Sequence, residues 1–544
     1  MKLLEFFTRG HVARRFFMLC AVSAIIIIEG MTLSGQWPHA RDAYWIILPL
    51  IAIGIQDMLQ KKQAVRRNFP LVGNLRYLFE SVRPEINQYF VESNIDGRPF
   101  NRDERSVIYQ RAKAVEDTIP FGTLYDVYST EYEWVNHSIA PKRPSPDAPR
   151  ILIGGPDCKQ PYSASLFNIS AMSYGSMSSH AIMALNQGAK KGDFYHNTGE
   201  GGLTRYHLEQ GGDIVWQLGT AYFGARNPDG TFCPEKFQKK IEKNPQIKMI
   251  EIKLSQGAKP GHGGILPAAK VTKEIAEIRD VPPGEDVISP PWHTAFDSPL
   301  GLMHFVKQLR DLSNGKPVGF KLCLGKHREF IAICKAMLET GITPDFITVD
   351  GAEGGTGAAP IEFSNSVGTP LNDGLVYIHN ALVGVGLRDR IRIIASGKVT
   401  TGMNLFSKMA LGADLCNSAR GMMFALGCIQ ALQCNRNTCP TGVTTQDPAL
   451  VQGLVVADKF ERVYRYHRAT VKSFLEVLGA TGLTHPNQIK PWHVQRRTSP
   501  VEVKHYGEIY PFLETGALLK DQLPKEYSDA WKGAQTHTWD AFRI

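Results

Sequence analysis

The pattern of apolar and polar positions divides the chain into three regimes. Near the beginning, Phe16 to Leu33 and Tyr44 to Met58 are two apolar runs, the first of bilayer-spanning length and the second shorter, and together they predict a membrane hairpin. From Asn68 to about Pro149 the chain turns polar and aromatic, with irregular punctuation such as Arg98-Pro99-Phe100, which predicts an extended collar packed on the larger C-terminal part of the chain. From about Arg150, short β-rich runs alternate with helix-length segments. Strands are expected near Phe167 to Met172, Phe194 to Asn197, Ile247 to Leu254, Val287 to Ser289, Val318 to Leu322, Asp345 to Asp350, Arg390 to Lys398 and Ala413 to Gly421. This βαβα rhythm is that of a parallel sheet, and eight such runs predict an α/β fold of the (β/α)8 TIM-barrel type. Asp458 to Leu478 spaces Phe460, Val463, Tyr464, Val471, Phe474 and Leu478 as a packing helix. The expected organisation is a two-helix anchor over 1–67, a collar over 68–149, a barrel over 150–483 and an extension over 484–544.

Charge orients the hairpin. Arg9, Arg14 and Arg15 precede the first run and Lys61, Lys62, Arg66 and Arg67 follow the second, whereas the turn holds only Arg41, so the positive-inside bias places both ends and the barrel in the cytoplasm. A cleaved signal peptide is disfavoured by the length of the first run and by the poor cleavage site Leu33-Ser34-Gly35-Gln36-Trp37; a pair of buried soluble helices is the bland alternative. Glu29 is expected near an interface or against the neighbouring helix. The net charge of +9 is not gathered into a basic block, which argues against nucleic acid as a partner.

Three of the nine cysteines fall within twelve positions, Cys428, Cys434 and Cys439, in a C-x5-C-x4-C-P pattern. Unequal spacing on an irregular loop suits an iron-sulfur cluster better than zinc, and three ligands suit 3Fe-4S better than 4Fe-4S unless another ligand completes the set. Three buried thiols with no metal are the plainer alternative. Just before this loop, three strands end in Gly351-Ala352-Glu353-Gly354-Gly355, Ser396-Gly397-Lys398 and Ser418-Ala419-Arg420-Gly421. Glycines there let backbone approach a ligand, and the loops after the last barrel strands commonly hold a phosphate, so a flavin nucleotide is the expected neighbour of the cysteine loop.

Together with Ser170-Ala171-Met172-Ser173-Tyr174-Gly175, Asn197-Thr198-Gly199-Glu200-Gly201-Gly202 and Gln256-Gly257-Ala258-Lys259-Pro260-Gly261, these segments resemble the FMN-binding synthase domain of glutamate synthases, from about Arg150 to about Leu483. The resemblance implies FMN lined by Ala171, Met172, Ser173, Thr198, Gly199 and Glu200, and a phosphate cradle at Gly354, Gly355, Gly397 and Arg420. A flavin needs a positive partner at its N1/O2 edge, and Lys321 on the fifth strand is the candidate. The resemblance further implies that the segment holding Lys253, Gln256 and Lys259 binds 2-oxoglutarate, which condenses with ammonia to an imine that is reduced to glutamate. His262 stands where the family commonly has Glu, which bears on substrate handling more than on the flavin.

The sequence shows neither a glutaminase domain ahead of the barrel nor a dinucleotide fingerprint, since Gly384-Val385-Gly386 lacks the third glycine. Electrons are therefore expected from a separate protein, a ferredoxin or another donor. The leading expectation is a membrane-anchored FMN and iron-sulfur oxidoreductase of glutamate synthase type. An enzyme acting on another small oxo or amino acid is motivated by His262. A non-catalytic redox scaffold is opposed by Lys253, Lys259 and Lys321.

Overall fold

The computed structural model describes residues 10–540 except 36, 116, 117, 144 and 146; Arg9 lies outside them. The chain divides into two compact units, one ending at Arg102 and the other beginning at Asp103.

In the first unit, α1 (Gly10–Leu33) and α2 (Tyr44–Leu59) form a hairpin. Two segments are long and apolar enough to cross a membrane, Val12–Leu33 and Ala40–Leu59, and only 6% and 11% of their apolar windows is buried, unlike the core helices of a soluble domain. Gly54 lets the pair pack closely, because a Cβ there would lie 2.1 Å from the Phe17 ring. Glu29 is answered across the turn by Arg41 at 2.7 Å and by the Tyr44 hydroxyl at 2.9 Å. At the opposite end the short α3 (Ala64–Asn68) leads into α4 (Val72–Ile86), a regular helix where the sequence pattern suggested irregular chain. Asp57, fully buried, joins these pieces by accepting hydrogen bonds from Arg66 Nε, the Leu71 N–H and Asn74 Nδ2.

The second unit is built on a closed barrel of eight parallel strands: β1 (Phe167–Ile169), β2 (His196–Asn197), β3 (Ile214–Leu218), β4 (Ile247–Lys253), β5 (Val318–Leu322), β6 (Phe346–Asp350), β7 (Arg392–Ser396) and β8 (Leu415–Ser418). Two expectations about the strands need correction. Ile214–Leu218 is a barrel strand that the pattern reading missed, although it is buried throughout and flanked by glycines; Val287–Ile288 is not one, pairing instead with Ile265–Leu266 in a two-stranded ribbon outside the barrel. A second ribbon, Ile151–Ile153 with Tyr162–Ala164, packs Ile153, Tyr162 and Ala164 against Val215, Met249, Phe346, Ile394 and Leu415 and closes the N-terminal end of the barrel.

Higher in the barrel interior the core is polar. Glu251, 1% exposed, accepts from Asn197 Nδ2 at 2.8 Å, Gln217 Nε2 at 2.5 Å and Thr348 Oγ1 at 2.7 Å, so strands β2, β3, β4 and β6 are tied through one carboxylate. A buried charge is tolerated when its oxygens are satisfied in this way. The long helix Val456–Ala480 packs outside against the helix Ser179–Gly192, burying Val463, Val471, Phe474 and Leu478 of the expected face while Phe460 and Tyr464 are half-buried.

Candidate active site

The C-terminal ends of the strands deliver the charged side chains. Lys253 closes β4 and Lys321 lies beside it in register on β5. Asp350 closes β6, and the loop after β2 carries Glu200. Lys253 Nζ donates to Glu200 Oε1 and to Gln256 Oε1, each at 2.6 Å. Lys321 Nζ stands 3.8 Å from Asp350 Oδ2, an oxygen that also accepts the Gly257 N–H at 2.9 Å. Lys259 Nζ donates to the Ala358 carbonyl at 2.7 Å. All three lysines are buried.

Burial and mutual repulsion set the ionisation of this group. Burial pulls the Lys253 ammonium down from its ordinary range, Glu200 opposes that, and Lys321 adds to it. Lys259 is lowered to about 8 by burial and by Lys253. Burial by itself would raise Glu200, but Lys253, through charge and hydrogen bond, and then Lys259 and Arg279 carry it below the usual carboxylate range. Burial likewise lowers Arg279 to about 10, against the pull of Glu200. Arg279 Nη2 donates to the Tyr174 carbonyl at 3.1 Å and its guanidinium lies 5.1 Å from the Phe223 ring centre. Cations thus surround Glu200 and Asp350, an arrangement suited to anionic ligands.

His293 holds the lysine in place from beneath. One ring nitrogen meets the Lys253 carbonyl at 2.9 Å and the other the Tyr222 hydroxyl at 2.9 Å, and burial lowers its pKa to about 4, so it is neutral at physiological pH.

Glycines make the mouth tight. Gly199 has φ +64°, and a Cβ there would come 2.9 Å from the Ser173 nitrogen, which places the Thr198–Gly199 backbone directly against Met172–Ser173. A Cβ on Gly264 would lie 2.3 Å from Glu200 Oε1. After β6, a Cβ on Gly355 would lie 2.7 Å from Arg420 Nε, and Arg420 itself donates to the Glu353 carbonyl. Gly397, φ +147°, approaches the Gly351 backbone from the end of β7.

The structure therefore brings Glu200, Lys253 and Gln256 into one hydrogen-bonded cluster with Lys259 in electrostatic reach, sets Lys321 beside Lys253, puts Thr198 and Gly199 against Met172 and Ser173 next to Ala171, and joins Gly355 to Arg420, while Gly354 and Gly397 both lie against the Gly351 backbone. His262 turns Nδ1 to the Gly263 carbonyl at 2.8 Å and its ring edge-on to Phe363, and only its backbone N–H reaches the lysine segment, donating to the Lys259 carbonyl at 3.3 Å among the described residues. Sequence reasoning missed Asp350, Glu251, Arg279 and His293. Glu251 and Asp350 had a signal, a carboxylate inside or ending an apolar strand run. Arg279, in Lys-Glu-Ile-Ala-Glu-Ile-Arg, reads as the solvated face of a helix.

The cysteine loop meets its expectation only in part. Gln430, Leu432 and Asn437 all have positive φ, so the loop coils tightly. The Gln430 N–H points at Cys428 Sγ (3.4 Å), and the Thr441 hydroxyl is 3.4 Å from Cys439 Sγ. Burial pushes the Cys428 thiol up to about 12, with Cys434 and Cys439 adding to the shift. At Cys439 burial is overcome by hydrogen bonds from Thr441 and Thr444, which lower it. Lys270, 1% exposed, lies near Cys434 and Cys439. A compensating cation and N–H donors suit thiolate sulfur. The expected metal set is nevertheless not formed, since no three His, Cys, Asp or Glu side chains among the described residues converge closely enough to hold an ion. Desolvation of its sulfur favours the protonated thiol at Cys428, whereas a metal takes the thiolate.

Residues 152–484 match the family described as the conserved region in glutamate synthase. The chain is also 36% identical to the glutamate synthase large subunit-like protein YerD of Bacillus subtilis, covering 83% of this chain and 94% of that protein. The chain belongs to the glutamate synthase family. Other relatives match over part of their length: the archaeal glutamate synthase [NADPH] of Methanocaldococcus jannaschii is 35% identical over 58% of each chain, and the glutamate synthase [NADPH] large chain of Bacillus subtilis is 32% identical over 59% of this chain and 21% of that one. This chain thus spans little more than half the length of the archaeal synthase and about a fifth of the large chain.

Proposed function

We propose that this glutamate synthase family member is an FMN-dependent oxidoreductase that reductively aminates a small oxo diacid, 2-oxoglutarate as the first choice, at the cytoplasmic face of a membrane. The observation that carries the reading is the buried cluster of Lys253, Lys259 and Glu200 beside Lys321 at the barrel mouth, inside the matched region. The residues fit the flavin: Gly355, lacking a side chain, lets the Arg420 guanidinium lie directly against the loop after β6, Gly354 and Gly397 both come close to the Gly351 backbone, Lys321 suits the N1/O2 edge, and Ala171, Met172, Ser173, Thr198 and Gly199 suit the ring and its ribityl chain. When bound, the flavin supplies a hydride and stores two electrons.

The chain's own residues do the rest. Protonated Lys259 binds a substrate carboxylate. Lys253 has its charge balanced by Glu200 and its ammonium further held by the Gln256 carbonyl oxygen, so it orients the carbonyl end of the substrate and holds a proton there. The oxo acid and ammonia condense with loss of water; the imine takes a hydride and a proton to give the amino acid, and a separate protein returns two electrons. An acidic ferredoxin is the preferred donor, because a chain of net charge +9 steers an acidic partner; the anchor keeps a quinone-linked donor open. Cys428, Cys434 and Cys439, with Lys270 beside them, keep the spacing of iron-sulfur ligands but do not converge on an ion as they stand, so a 3Fe-4S cluster on that loop requires the loop to draw its thiols together; no step is assigned to it.

The test is to reduce the purified protein anaerobically and add ammonium with a panel of oxo acids. Flavin reoxidation by 2-oxoglutarate and ammonium, with glutamate formed and neither reagent sufficient alone, is the expected result. Reoxidation by a different oxo acid moves the substrate to the alternative suggested by His262. Protein that takes up no flavin ends the proposal.

A further inference from the structure

We propose that α4 lies in the plane of the membrane surface, with its apolar side in the lipid headgroup boundary, as a second attachment beside the hairpin. On this helix Val72, Leu75, Leu78, Phe79, Val82 and Ile86 fall within a sector of about 120°, at 3.6 residues per turn. All six are exposed, Val72 by 68% and Phe79 by 63%, and the stripe continues into Phe90 at 84%. The opposite side is the packed one. Gly73 is buried there against the Arg66 backbone, where a Cβ would lie 2.8 Å from Arg66 Cα, and Asn74 reaches Asp57 at the end of α2. The helix is therefore fixed to the hairpin by its polar back and presents its apolar face outward.

A bilayer is the occupant that the surroundings favour. The stripe belongs to the same compact unit as the two spanning-length helices and begins thirteen positions after the second of them. Lys61, Lys62, Arg66 and Arg67 fill the connection, and Arg76 and Arg83 border the stripe, Arg76 paired with Glu80 at 3.0 Å and Glu85 on the other border. Basic residues around an apolar face on a helix of low overall hydrophobicity are the chemistry that binds an anionic lipid surface.

The inference rests on the membrane reading of α1 and α2, and the experiment separates the two. A photoreactive phenylalanine is placed at Phe79, at Ser81 on the other side of α4, or at Ile27 in α1, in the full chain in native membranes, and the adducts are identified by mass. Lipid adducts at 79 and 27 but not at 81 are expected. A protein adduct at 79, from a second copy or another chain, overturns the inference in favour of a protein-docking face. Equal lipid labelling at 79 and 81, or labelling at 27 with none at 79, overturns it and leaves the hairpin standing. No lipid at 27 removes the hairpin and the inference with it.

Discussion

The Lys259 side chain makes the most direct test of the site. Its pKa of about 8 lies below the ordinary lysine range, and only the protonated form attracts a carboxylate. Oxo-acid binding should therefore be strong below pH 8 and weaken as pH rises through about 8, measured as the dissociation constant against pH by flavin spectral titration. Replacing Lys259 by Ala should remove that pH dependence and weaken oxo-acid binding by roughly 10- to 100-fold, the worth of a charge-assisted hydrogen bond, while flavin content stays close to wild type. Equal loss of flavin and substrate would contradict the division of roles. At Gly199, substitution by Ala forces a side chain into φ +64° and against the Ser173 nitrogen, so a loss of about 1–3 kcal/mol is expected, read as a lowered melting temperature. For the cysteine loop, iron and sulfide analysis of anaerobically purified protein should find a cluster in the wild type and lose it in Cys434→Ser; an unchanged iron content in that variant removes Cys434 from the ligand set.

Among the elements, those that carried their periodicity or their strand-end glycines were legible in the sequence: β5 through β8, the long packing helix and the hairpin emerge where the pattern puts them. The failures have physical causes. Ile214–Leu218 is fully buried and carries no alternation, so only its β-branched and aromatic composition and its flanking glycines mark it. Val287–Ile288 has β-branched composition but sits outside the barrel, because which strands join a closed sheet is decided by long-range pairing. At the site, Lys253, Gln256 and Lys259 were legible as one segment, whereas the pairing of Glu200 with Lys253 and the positions of Arg279 and His293 arise from contacts brought about by folding alone. The junction at Asp57 belongs to this scale. Asp57→Ala would strip the Leu71 N–H of its acceptor and leave Arg66 only Gln63, and leaving buried donors unsatisfied in this way costs about 1–3 kcal/mol. Faster hydrogen exchange confined to residues 64–80 is the expected signature; unchanged exchange there would show that Asp57 does not hold α3 and α4.

For the whole molecule, full-length protein is expected in the membrane fraction and in solution only with detergent, and appearance in the soluble fraction would remove the anchor. Reduction by an acidic ferredoxin should slow as salt rises, because charge attraction is screened beyond roughly 8 Å at physiological ionic strength. Rapid reduction by NADPH alone would contradict a separate donor protein. The ribbon beneath the barrel and the Glu251 knot within it have a further consequence for traffic. A bore stopped at one end and knotted inside is a blind alley, so in the proposed reaction oxo acid, ammonia and departing water would have to share the mouth at the C-terminal ends of the strands.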